Sequence, residues 1–244
     1  MGSLCEYVEW DSGFFRKRIA KVNKMALSAE EMSDALNWCK LENIDCMYFL
    51  ADPHNIESLR LTEKNGFNMV DIRVTLEAMD LQRQFFRAPN EKVIVRDFIP
   101  ADLPVLQCYA SENHNNSRFF NDQRFSLELA TELYALWIEK CCTVFNDKVF
   151  VAQYQDEVVG YITCRAAANG PGQIILAGVD QRNRSVGIGT RLVQESLRWF
   201  HGNGMKTATV VTQGTNIKAL RLYTSWGFYP TQIELWYHRW FTKE

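Results

Sequence analysis

Gly172-Gln-Ile-Ile-Leu-Ala-Gly-Val-Asp180 reads as a buried strand, and it runs directly into Gln181-Arg-Asn-Arg-Ser-Val-Gly-Ile-Gly-Thr190. Beyond that loop, Leu192, Val193, Ser196, Leu197 and Phe200 recur at helical spacing. A glycine loop between a strand and a helix N-terminus can aim several backbone N–H groups at one anion, and the helix dipole adds to the attraction. Gly187 and Gly189 let a pyrophosphate approach the backbone closely. Arg182, Arg184 and Arg191 add positive charge, and no acidic side chain lies between Asp180 and Glu195. On its own, Gly-x-Gly also describes a tight turn, so the loop needs a second signal.

That signal is a repeat. Asn55-Ile-Glu-Ser-Leu-Arg-Leu-Thr-Glu-Lys-Asn-Gly-Phe67 and Asn216-Ile-Lys-Ala-Leu-Arg-Leu-Tyr-Thr-Ser-Trp-Gly-Phe228 share 7 of 13 residues at an offset of 161. Composition alone predicts about one match. The register continues outward, with Trp38 matching Trp199 and Ile72 matching Ile233. Asn216 suits the N-cap of a helix over 217–225, and Gly227 its C-terminal glycine. The first copy carries Ala26 and Ser28 where the second has Gly187 and Gly189, then Ala29-Glu30-Glu31, whose carboxylates would repel phosphate. It also has Thr62 in place of Tyr223. The first copy is therefore expected to lack a cofactor site.

Arg184-x-x-Gly187-x-Gly189 followed by Asn216-x-x-Ala219-x-x-x-Tyr223-x-x-x-Gly227-Phe228 resembles the two signature motifs of the GNAT superfamily of acetyltransferases. Lys92–Pro104 resembles a GNAT first strand and first helix. The resemblance implies an α/β (α+β) fold, a mixed and partly splayed sheet flanked by helices, preceded by a truncated GNAT-like half-domain. Acetyl-CoA is the implied acetyl donor. Its pyrophosphate would lie on Arg184, Ser185, Val186, Gly187, Ile188, Gly189 and Thr190. Its pantetheine arm would run beside Leu176, Ala177 and Val179, with Asn216, Ala219 and Tyr223 completing the site. Tyr223 is then the proton donor to the leaving thiolate, with Asn216 beside it in the catalytic motif, and a backbone N–H on the strand, at Val179, is the candidate oxyanion donor. A phenol near pKa ~10 can share a proton with a thiolate.

Glu9-Trp10-Asp11-Ser12-Gly13-Phe14-Phe15 and Ser117-Arg118-Phe119 are similar to segments of bacterial dTDP-fucosamine N-acetyltransferases, which pair a truncated half with an active one. This narrower resemblance implies a small-molecule amine acceptor, the 4-amino group of a dTDP-linked amino-dideoxy sugar. Arg118 could meet a diphosphate, and Phe119, Phe120, Trp10 and Phe15 could wall a sugar or stack on thymine. Each of those residues also suits an ordinary core or linker. Other readings stay open: a peptide or other small amine as acceptor, or a non-catalytic acetyl-CoA sensor. No general base is identified; Asp180, Glu157, Glu195, His201 and His238 read as solvated or packed groups.

The 244 residues carry a net charge of −2 and no long basic run, which argues against a nucleic-acid partner. Neither a membrane-length apolar run nor a signal-like N-terminus is present. Seven cysteines without C-x-x-C spacing argue against a metal site and for small buried hydrophobes in a reducing cytoplasm. The expected organisation is a half-domain over 1–82, a linker over 83–89 and a catalytic domain over 90–244. The aromatic strand near Glu234–Phe241 is expected at a sheet edge, where it would serve a homodimer interface.

Overall fold

The protein is described by a computed structural model over residues 3–81, 92–145, 147–166, 170–184 and 186–241. The expected linker lies outside these residues.

The first repeat supplies β1 (Cys5–Tyr7), α1 (Glu9–Phe15), β2 (Ile19–Val22), α2 (Ala29–Leu41), β3 (Cys46–Ala51), α3 (Ile56–Lys64) and β4 (Asn68–Met79). Next come β5 (Val93–Asp97), α4 (Leu103–Asn113), α5 (Arg118–Asn121), α6 (Leu127–Thr143), β6 (Lys148–Tyr154) and β7 (Glu157–Ala166). The second repeat closes the chain with β8 (Gly172–Val179), α7 (Ile188–Gly202), β9 (Thr207–Gln213), α8 (Ile217–Ser225) and β10 (Phe228–Trp240). The fold is the mixed GNAT fold, a sheet flanked by helices.

Local chemistry explains the shared unit. Asn55 and Asn216 each cap their helix, accepting from Ser58 N–H at 3.0 Å and Ala219 N–H at 3.2 Å. Gly66 and Gly227 end the same helices in the left-handed conformation (φ +78° and +76°), which glycine enters without a Cβ clash.

The strands form one sheet in the order β1-β2-β3-β10-β4-β9-β8-β7-β6-β5. The two repeats thus exchange their last strands: β10 pairs with β3 of the first repeat, and β4 enters the second repeat between β10 and β9. The register obeys the 161-residue offset. Val74↔Thr212 maps onto Leu235↔Ala51, and Ile72↔Leu235 onto Val74↔Ile233. Arg73↔Glu234 maps onto itself, so a local two-fold axis passes between these residues. The bulges at Val70 and Thr231 are equivalent under the same offset.

β10 is therefore not an edge strand, and the case for a dimer interface along it falls. The repeat signal reports that two units are alike. It does not report which strand each will pair with.

One core lies between the sheet and α7 and α8, and holds Leu76, Ile188, Leu192, Phe200, Tyr223 and Trp226. A second lies under α4, α5 and α6 and joins Phe15 and Tyr48 of the first repeat to Phe119, Tyr134, Tyr161 and Leu176. The third packs α2 and α3 against β3 and β10.

At the two-fold axis Arg73 Nη1 is ion-paired with Glu234, whose side chain is only 5% exposed. Removing one partner leaves a buried charge uncompensated, whereas an apolar pair of similar volume need not cost stability. Arg73→Ala should lower unfolding stability by about 3 kcal/mol, and Arg73→Met/Glu234→Leu should recover most of that loss. Urea unfolding of the three proteins checks it; equal losses in the single and double variants would show that an uncompensated charge is not the cause.

Candidate active site

β8 and β9 run parallel for only three pairs, Gly172↔Ala208 to Ile174↔Val210. Past Ile174 they separate, and β8 keeps a ladder only with β7, as in Gly178↔Tyr161 and Val179↔Gly160. A cleft of about 580 Å³ opens there, walled by β8, by the start of α7 and by α8.

Gly187 is the N-cap of α7, in the left-handed region (φ +89°), with no side-chain cap and no acidic residue in the first turn. The first amides of a 15-residue helix thus face the cleft without an internal partner. A Cβ on Gly189 would lie 3.1 Å from Leu222 of α8, so glycine lets the two helices close up at the cleft floor. Among the described lining residues are three cations, Arg184, Lys218 and Arg221, and no carboxylate. These features fit a polyanionic ligand with a polar arm laid along the free edge of β8.

Most of the residues expected around acetyl-CoA meet in this cleft: Ala177, Val179, Arg184, Gly187, Ile188, Gly189, Thr190, Asn216, Ala219 and Tyr223. Three stand apart. Leu176 points into the core under α4–α6, its N–H donating to Thr163 Oγ1 at 3.0 Å. Val186 packs against the core beside α7. Ser185 lies outside the described residues. Arg182 is spent on Asp180, which also accepts from Asn183, and these hydrogen bonds hold the Asp180 carboxyl below its usual range. Arg191 turns to Gln194 at 2.7 Å.

Tyr223 lines the cleft from α8 and packs edge-on to Phe228 at 5.6 Å. Burial pushes its phenol above the ordinary tyrosine range. Asn216 also lines the cleft, and its side-chain oxygen is occupied in capping α8.

The five residues expected on the acceptor side do not line this cleft. Arg118 sits 4.1 Å from the Trp236 ring, 4.2 Å from Tyr48 and 4.5 Å from Phe119, and pairs with Asp11 at 3.4 Å. Phe15 and Phe119 are buried and stacked at 5.1 Å. Phe120 lies 6.5 Å from Tyr134. Trp10 is exposed, stacked on Phe14 with the Lys140 ammonium 4.8 Å away. Arg118, Phe119 and Phe15 thus meet one another at the junction of the repeats.

From the end of α4, Asn113 and His114, outside the residues expected around acetyl-CoA, also reach the cleft. Asn113 accepts from Arg184 at 2.7 Å, and His114 caps the end of α4. The His114 ring stacks on Tyr134 at 4.5 Å, and its Nε2 lies 3.3 Å from the Tyr161 hydroxyl. Its partners are 20 and 47 residues away, so no local pattern marks it.

Residues 110–228 match the acetyltransferase (GNAT) family. Over 148 residues the chain is 26% identical to the spore coat polysaccharide biosynthesis protein SpsD of Bacillus subtilis, covering 59% of this chain and 50% of that one. The chain spans half or less of the length of the curated relatives it matches. Its fold is similar to a GCN5-related N-acetyltransferase from Sphaerobacter thermophilus (TM-score 0.65, 16% identity, 97% of this chain and 76% of that one). It is also similar to a tandem GNAT protein from the clavulanic acid biosynthesis pathway (TM-score 0.63, 11% identity, 93% and 76%). Among the described residues no helix is long and apolar enough to cross a membrane, and no cluster could hold a metal ion.

Burial pushes His114 down to about 4, and it does the same to His238, against the opposing bond from Asp122. An unfolded chain binds these protons near pH ~6.5. Their contribution is therefore complete above that pH and is lost as pH falls toward 4. The urea midpoint should fall between pH 7 and 4.5, and His114→Gln should flatten part of the fall. A midpoint constant across that window would contradict the burial of both rings.

Proposed function

We propose that this chain, whose residues 110–228 match the acetyltransferase (GNAT) family, moves the acetyl group of acetyl-CoA to a primary amine by direct attack. The cleft carries the reading: an uncapped helix N-terminus, three lining cations, a buried phenol on the neighbouring helix, and no carboxylate among the described lining residues. The amides of α7 behind Gly187 and Gly189, with Arg184, hold the pyrophosphate. The free edge of β8 around Ala177–Val179 receives the pantetheine amides, and a backbone N–H there stabilises the charge developing on the carbonyl oxygen. Tyr223 delivers its phenolic proton to the sulfur as the carbon–sulfur bond breaks. Holding both reactants in one cleft removes several kcal/mol of the barrier.

The acceptor we infer is the 4-amino group of a dTDP-linked amino-dideoxy sugar. Glu9–Phe15 and Ser117–Phe119 support it, as does the likeness to a polysaccharide biosynthesis protein. The acceptor would enter from the side of α4–α6, opposite α7 and α8.

CoA release with acetyl-CoA and a panel of amines tests both levels: dTDP-4-amino-4,6-dideoxygalactose, its gluco epimer, UDP-amino sugars, polyamines and a peptide. Turnover confined to dTDP-amino sugars is the expected result; turnover confined to a peptide would keep acetyl transfer and reject the sugar. Tyr223→Phe should cost about 100-fold in kcat with acetyl-CoA affinity intact. Gly187→Glu should abolish tight acetyl-CoA binding in calorimetry, and wild-type affinity there would remove the pyrophosphate from this loop.

A further inference from the structure

If acetyl transfer is the reaction, as proposed above, the attacking nitrogen must lose a proton, and the nearby carboxylates are already engaged. Asp180 is held by Arg182 and Asn183. Glu195 faces Arg198 at 3.6 Å. Among the described lining residues one imidazole shares the cleft with Tyr223, that of His114 at the end of α4.

We propose that His114 receives the proton of the acceptor amine and returns it to Tyr223, so that the two side chains form a proton shuttle across the cleft. The geometry fixes the ring for such a role. Tyr134 lies parallel to it, 11° between planes, and sets the ring plane. The Tyr161 hydroxyl engages Nε2 and leaves Nδ1 as the other site for a proton. Tyr161 can reach Nε2 because residue 178 is glycine: a Cβ there would lie 2.6 Å from the Tyr161 ring.

The balance of the step is closed. The nitrogen–carbon bond forms and the carbon–sulfur bond breaks. Sulfur takes the phenolic proton of Tyr223, and His114 takes the proton of the acylated nitrogen. An imidazolium and a phenolate remain, and both are disfavoured by burial, which lowers His114 to about 4 and raises Tyr223. A proton passing from one to the other through water in the open cleft restores both neutral forms. A ring this weakly basic does not strip a free ammonium; it takes the proton only once the nitrogen has bonded to the carbonyl carbon.

The titratable and charged groups around His114 are Tyr161 on β7 and Tyr134 on α6, with Tyr223, Lys218 and Arg221 of α8 lining the same cleft. Arg184, also on the cleft, donates to Asn113, the residue before His114, and Glu112 on the same helix faces Cys108. The ring therefore stays neutral through the working range. The acid limb of kcat/KM should follow the pKa of the acceptor amine and move when the acceptor is changed.

The test uses the full chain, acetyl-CoA and the best acceptor from the panel. His114→Gln should lose about 100-fold in kcat while acetyl-CoA affinity and melting temperature stay at wild-type values. His114→Ala should regain activity about fivefold or more in added imidazole, in proportion to its neutral form, as a base but not a packing residue would. Tyr161→Phe, which removes only the hydroxyl on Nε2, should lose about tenfold and keeps the test alive if the His114 variants fail to fold. A His114→Gln enzyme within about twofold of wild type, a folded but inactive His114→Ala that imidazole does not rescue, or an acid limb fixed near 6 for all acceptors would each overturn the shuttle. A wild-type protein that binds acetyl-CoA yet turns over no amine would instead overturn the acetyl-transfer reading, and the shuttle with it.

Discussion

The position of β4 is the constraint on which the rest depends. This strand belongs to the first repeat, yet it pairs with β9 along Arg73–Met79 and with β10 on its other side. A splayed pair of strands leaves backbone groups without partners, which is costly where water is excluded. Here β9 can diverge from β8 after three residues because its opposite edge is fully engaged by β4. The cleft is therefore a product of both repeats, although none of its described lining residues lies in the first.

The exchange makes the backbone symmetric while the chemistry is not. Tyr223 is replaced in the first repeat by Thr62, which is fully buried and bonds back to the Ser58 carbonyl at 2.7 Å. The position of Gly187 is taken by a segment leading to Ser28, which closes the α2 N-terminus in a capping box with Glu31. Such a helix start has its first amides satisfied internally and carries negative charge, so it offers nothing to a phosphate. β2 is four residues long and pairs with β3 over three of them, leaving no free arm like Ile175–Val179. The first repeat has kept the packing surfaces of the unit and replaced its anion-binding surfaces with ordinary caps.

Sequence reading recovered what is encoded within about ten residues. The Asn caps, the C-terminal glycines, the glycine loop and the loss of that loop in the first copy all follow from side chains acting on their own backbone. Contacts between distant segments were out of reach. Arg182 read as positive charge beside the loop, but Asp180, two residues earlier, accepts from its guanidinium. Arg118 and the aromatic residues around it read equally as a surface for an acceptor or as core. The structure turns the arginine inward because Asp11, Tyr48 and Trp236 arrive from three other elements to enclose it. Nothing in Asn113–Asn116 indicates that Tyr134 and Tyr161 will hold the His114 ring.

Tyr161 shows how the core at the junction of the repeats reaches the cleft. Its ring is fully buried in the core that also contains Phe15 and Tyr48 of the first repeat, and its hydroxyl meets His114 at the cleft wall. Packing in that core is dense and continuous, from Phe15 on Phe119 and Phe125 to Tyr48 on Trp236. In a close-packed interior a displaced ring shifts its neighbours, because there is no free volume to absorb the movement. The first repeat, which has no anion site of its own, thus acts on the cleft in two ways. It satisfies the edge of β9 so that the strands can part, and it fills the core that sets where Tyr161, and through it His114, must lie.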